Sequence, residues 1–238
     1  MAKMTLDELV TQLNAAFGDD LAAAVLYGSA ATGEHVARTS DYNVLVLVES
    51  LSARALQAAS AAARAWSEAG NPAPLILTTA EWRGSADIFP MEYADILSGH
   101  KVLYGTLPTD IRVDAAHLRL ELEHEAMGTL LQLRRGLLAS GNDSNEQLAL
   151  LEASASTMLV IFRAFVRFRG ELPSRDSASL VRQVSDAAGF DVAPFTRVVR
   201  HKRAEEAIRA ADAPEILAGY LAGFQRLVTF LDLAADGG

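Results

Sequence analysis

Residues 26–48 read LYGSAATGEHVARTSDYNVLVLV, and in them two short polar motifs sit at the ends of apolar runs. Gly28-Ser29 directly follows one run and Ser40-Asp41 directly precedes the next. Glycine lets backbone N–H groups approach an anion with no Cβ in the way, and Ser29 adds a hydroxyl and an amide, as a phosphate-cradling turn requires. Gly33 lets the connecting loop double back. Residues two apart on an extended strand point to the same side, so Asp41 and Asn43 are expected to project together toward whatever the turn holds. Carboxylates in those two places would bind magnesium, which prefers hard oxygen ligands and keeps part of its shell for substrate phosphates, the basis of a phosphoryl or nucleotidyl transfer site.

Gly28-Ser29, Gly33 and Ser40-Asp41, running into a hydrophobic strand, resemble the motif of the DNA polymerase β-type nucleotidyltransferase superfamily, with bacterial aminoglycoside nucleotidyltransferases as the nearest look-alikes. The resemblance implies that Gly28, Ser29, Gly33 and Ser40 hold the triphosphate of ATP or another nucleoside triphosphate. It implies also that Asp41 is the catalytic metal ligand, one of three carboxylates around two magnesium ions. The chain departs from that pattern twice. Position 43, where the family has its second carboxylate, is Asn43, whose amide can touch a cation but brings no charge and bridges two metals poorly. The strand expected to carry the third offers only Leu75, Ile76 and Leu77; Asp87 and Glu92 follow it, while Glu49 lies roughly 26 Å of strand beyond Asp41.

These residues predict a single Mg2+ at Asp41 and Asn43, and a protein that binds a nucleoside triphosphate with weak or lost transfer of its nucleoside monophosphate, a pseudoenzyme. An active nucleotidyltransferase acting on a small-molecule or protein acceptor is the first alternative. A non-catalytic interaction or homodimerisation protein, using apolar stretches such as Met158–Phe162, is the second. Tyr27 and Tyr42 flank the loop and are read as packing; Glu34 and His35 as solvated loop. His117, Glu121 and His124 share a helical face among charges, a solvated face more than a metal site. The arginines at 134, 135, 163, 167, 169, 197, 200 and 203, with Lys202, are expected to pair with surface acids.

The elements that must position the site follow from periodicity. Residues 5–17 form an amphipathic helix opened by a Thr5/Glu8 capping box. LAAAVLY and NVLVLV read as buried strands, 51–69 as an alanine-rich crossover helix closed by Gly70-Asn71-Pro72, and PLILTT as a third strand. MEYADIL and KVLYG complete the unit near Gly105. Helical patterns then run over 114–139, 144–168, 176–188, 194–210 and 214–234. The fold class is α+β: a small mixed β-sheet nucleotidyltransferase domain over 1–107, then an all-α helical bundle over 108–238, divided at Leu107-Pro108-Thr109.

Composition narrows the partners. The 238-residue chain has no cysteine, which excludes disulfides, thiolate zinc sites and a thiol nucleophile, and fits a reducing, cytoplasmic setting. A formal charge of −9 argues against broad nucleic-acid binding, which needs a basic surface to release counterions. The opening MAKMTLDELVTQL lacks the apolar core of a signal peptide, and no stretch reads as a bilayer span.

Overall fold

The computed structural model describes residues 4–32 and 41–235. Gly33 and Ser40, with Glu34 and His35, lie outside the described residues. Contacts divide the chain into two compact units, Met1–Asp114 and Ala115–Gly238.

The first unit is built on a four-stranded sheet: β1 (Leu21–Tyr27), β2 (Asn43–Val48), β3 (Leu75–Thr78) and β4 (His100–Gly105), in the order β3-β2-β1-β4. β1 pairs antiparallel with both β2 and β4, while β2 and β3 run parallel. The sheet is therefore mixed, and its two central strands are the two apolar runs that flank the polar motifs.

Strand alternation divides these side chains between two cores. Leu21, Leu26, Val44, Val46 and Val48 pack with Leu9 and Leu13 of α1 (Leu6–Phe17) and Trp66 of α3 (Ala53–Glu68). Ala23, Val25, Leu45 and Leu47 pack with Trp82 of α4 (Thr79–Gly84) and with Tyr93 and Ile96 of α5 (Pro90–Ser98). A sheet covered on both faces explains why β1 and β2 read as nearly continuous apolar runs, and each fully buried valine or leucine contributes about 1.5–3 kcal/mol. The capping box predicted for α1 is present: the Glu8 N–H donates to Thr5 Oγ1 at 3.2 Å, and the Thr5 N–H donates to the Glu8 carboxylate at 2.8 Å.

A second capping box, Thr78 with Glu81, ends β3 one residue before the predicted PLILTT limit and starts α4, which periodicity did not reveal. Residues 108–114, predicted to belong to the bundle, stay with the sheet. Trp82 Nε1 donates to the Pro108 carbonyl at 2.9 Å, Arg83 pairs with Asp110 at 3.0 Å, and Ile111 and Val113 pack against the second core.

The second unit comprises α6 (Ala115–Ser140), α7 (Ser144–Phe168), α8 (Ser177–Ala188), α9 (Ala193–Lys202) and α10 (Ala213–Ala235). Its centre is aromatic: the Phe195 ring lies 5.5 Å from Phe162 and 4.5 Å from Tyr220 between centroids. Met158, Ile161 and Phe162 are buried there as core, not presented as an interface. The helix predicted over 194–210 stops at Lys202, because Ala204 adopts φ 55° and the Glu205 N–H turns back to the Arg200 carbonyl at 2.9 Å.

Ser144–Phe168 and Ala210–Leu233 are, against the sequence reading, long and apolar enough to cross a bilayer. Phe162, Phe165, Tyr220 and Phe224 on them are fully buried inside the unit, which accounts for their apolar character. Two of the arginines pair with acids as expected, Arg197 of α9 with Asp212 at 3.5 Å and Arg203, just past its end, with Asp176 at 3.5 Å.

Two expectations follow. A Cβ at Gly105, where φ is +65°, would stand 1.9 Å from the Ala22 carbonyl oxygen. Gly105→Ala should therefore destabilise the first unit by about 3 kcal/mol in urea titrations. The fluorescence of Trp66 and Trp82, the only tryptophans, reports on that unit alone.

The Tyr93 hydroxyl donates to the Trp82 carbonyl at 2.8 Å, and burial pushes its pKa up to about 12. The folded state thus holds this proton more tightly, so its contribution is fully present below about pH 10 and is lost as pH rises toward 12. Tyr93→Phe should cost about 1 kcal/mol at neutral pH and flatten that alkaline decline in the same titration.

Candidate functional site

The ladder between β1 and β2 ends with Tyr27 opposite Asn43. Immediately beyond Tyr27 the chain turns at Gly28, with φ +75°, into the single helical turn α2 (Ser29–Thr32), and the Ala31 N–H closes the turn on the Gly28 carbonyl at 3.0 Å. A side chain at this φ is strained, so glycine is what allows the sharp exit. The turn and β2 meet there: a Cβ built on Gly28 would lie 3.1 Å from Asn43 Nδ2. Asn43, expected to project with Asp41 toward whatever the turn holds, thus approaches Gly28 itself.

Asn43 alternates with Leu45 and Leu47, which places it on the α4/α5 side of the sheet with Tyr27. Tyr42 takes the opposite side. Its ring lies 6.1 Å from that of Trp66, and its N–H donates to Asn71 Oδ1 at 3.1 Å, in agreement with a packing role. Asp41 precedes β2 by two residues and is exposed. Ser29 follows the turn directly, at the start of α2.

β3 enters the sheet level with Leu45, pairing Leu75 with it, so the strand beside the site contributes hydrocarbon at that level. The nearby acids come from α5. Burial holds the Tyr27 hydroxyl above its usual pKa, and the negative charges of Glu92 and then Asp95 push it further. Glu92 and Asp95 stand three apart on the helix, on one face, above the end of β1.

Glu92 is one of the two residues considered from sequence; the other, Asp87, exerts its charge on Tyr93. Asp95 was missed, although the spacing of Glu92 and Asp95 on the MEYADIL helix was a readable signal. His100 was missed as well. It pairs with Tyr27 across the β1–β4 ladder, and its Nδ1 lies 2.8 Å from the Ile96 carbonyl oxygen. That contact requires the proton on Nδ1.

One end of the sheet therefore gathers the Gly28 turn, the Asn43 amide, the Tyr27 hydroxyl, the His100 imidazole and two carboxylates on α5. As a donor set for magnesium it is poor. Among the described residues no three histidine, aspartate or glutamate side chains converge closely enough to hold a metal ion, His117, Glu121 and His124 included. A neutral amide occupies the place of the second carboxylate, so the two-metal arrangement implied by the resemblance does not fit these residues.

No protein-family description matches the sequence, and no curated protein matches it. Comparison of folds does find similar structures. The chain is similar to the crystal structure of the spectinomycin adenyltransferase AAD(9) from Enterococcus faecialis with ATP and spectinomycin, with a TM-score of 0.60 and 10% identity. That likeness covers 92% of this chain and 96% of the other. A toxin-antitoxin structure with AMP-PNP overlaps 57% of the chain at 18% identity, with a TM-score of only 0.30. The first of these matches spans both units, and the likeness it shows is one of fold: a small mixed sheet followed by helices.

Proposed function

We propose that the Gly28 end of the sheet binds a nucleoside triphosphate and that transfer of its nucleoside monophosphate is weak or lost. The observation that supports this reading is the approach of Gly28 to Asn43: the glycine turn that would cradle the phosphates is faced from β2 by an amide, where the resemblance has a carboxylate. The similar adenyltransferase was solved with ATP, in keeping with a nucleotide as ligand.

The turn would supply backbone N–H groups and the Ser29 hydroxyl to the phosphates, while Asp41 would be the one charged ligand for Mg2+. Such an ion neutralises phosphate charge and polarises a phosphoryl oxygen when bound. Holding phosphates asks less of a site than stabilising the charge that develops during transfer, so losing carboxylates spares binding more than turnover. The acids at Asp41, Glu92 and Asp95 oppose a bare polyanion. A cation accompanying the triphosphate relieves that repulsion.

Calorimetry with ATP and GTP should therefore give micromolar to millimolar affinity, tighter with Mg2+ than without. Ser29→Ala should weaken it roughly fivefold, the worth of one hydrogen bond. Gly28→Ala, which drives a methyl toward Asn43 Nδ2, should weaken it more. Asn43→Asp should raise Mg2+-dependent affinity roughly tenfold, as a charged ligand replaces a neutral one. Flat titrations with every triphosphate would discard the reading. Mg2+-dependent pyrophosphate release that disappears in Asp41→Ala would replace it with the active enzyme, acting on a small-molecule or protein acceptor.

A further inference from the structure

α6 carries two apolar stripes. Leu118, Leu122, Ala126, Leu130 and Leu133 are buried in the helical unit. Leu120, Met127, Leu131 and Leu138 of the same helix are exposed, at 67%, 38%, 40% and 84%. At 3.6 residues per turn these four fall within about 20° of a single line, on the side opposite the buried stripe. Such an ordered line is not the scatter of single apolar residues normal on a surface.

The intervals along the line are seven, four and seven residues, the same in both directions. We propose that this face docks a second copy of the chain, helix against helix and antiparallel, about a twofold axis at the level of Thr129. In that register Leu120 faces Leu138 of the partner subunit, and Met127 faces Leu131 of the partner subunit. Between those layers His124 faces Arg134 of the partner subunit, a polar layer of the kind that fixes register at some cost in affinity.

Charge placement agrees. Glu123, held by Arg119 one turn earlier at 2.8 Å, comes alongside Arg134 of the partner subunit. A parallel arrangement would instead set Arg134 beside Arg135 of the partner subunit, like against like. The helix is about 39 Å long. A helix pair of that length buries on the order of 1,000 Å², the low end for a specific interface, so the dimer exchanges at micromolar concentration.

The chain has no cysteine, so introduced thiols give an unambiguous test on the full-length protein. In sedimentation, the unmodified protein should pass from monomer to dimer over the micromolar range. Leu120→Glu should weaken association at least tenfold with unchanged helicity by circular dichroism. Glu123→Arg and Arg134→Glu should each weaken it severalfold, and the double exchange should restore it. With a short bismaleimide linker, Leu120→Cys and Leu138→Cys should each fail to cross-link to itself, because equivalent positions lie about 27 Å apart along the axis. A mixture of the two should cross-link. A protein that stays monomeric at about 100 µM overturns the proposal, since the face then serves something other than a second copy. A dimer indifferent to Leu120→Glu, or one in which Leu120→Cys cross-links to itself, overturns it equally.

Discussion

The pairing of β1 with β2 is the constraint on which the rest of the first unit hangs. Both strands are covered on both faces, so their register is held by two cores at once: Val44, Val46 and Val48 must meet α1 and α3, while Leu45 and Leu47 meet α4 and α5. A slip by one residue would turn every one of these side chains to the wrong core and send Asn43 to the Trp66 side. The approach of Asn43 to Gly28 is therefore fixed by packing far larger than the contact itself. It does not depend on any affinity between an amide and a glycine.

That rigidity has a chemical cost. With the ladder fixed, the character of the site depends on which side chains stand at its end, and here the charges lie one layer away from where the resemblance would put them. β3 brings leucine, β2 brings an amide, and the acids sit on α5 above Tyr27. Carboxylates so placed raise the local negative potential without forming a compact ligand cage. The same acids that would help an ion accompany a triphosphate would discourage a triphosphate arriving alone.

Much of this was legible in the chain itself. The strands at 21–27 and 43–48, the capped first helix, the projection of position 43 toward the glycine turn and the α+β order all follow from periodicity and turn chemistry, which are local signals. What escaped was tertiary. Asp95 and His100 join the site only because α5 lies over the β1 end and β4 returns beside β1; the spacing of Glu92 and Asp95 shows that they share a helix face but not what that face meets. The end of α9 escaped for another reason: Ala204 takes a positive φ without glycine or proline to mark it, and the turn is held by Arg200 accepting from Glu205 and by His201 Nδ1 accepting the Ile208 N–H at 3.0 Å. Residues 108–114 followed the sheet because Trp82 and Arg83 reach across to them, a preference invisible to a boundary drawn at Pro108.

Gly105 and Gly28 of the first unit are crowded by different kinds of neighbour. At Gly105 the obstacle is main chain, the Ala22 carbonyl, which no substitution elsewhere can remove. At Gly28 it is the side chain of Asn43, which is itself replaceable. A smaller residue at 43 would clear space at 28 without lifting the backbone requirement for glycine, whereas at 105 the space and the backbone both forbid a side chain.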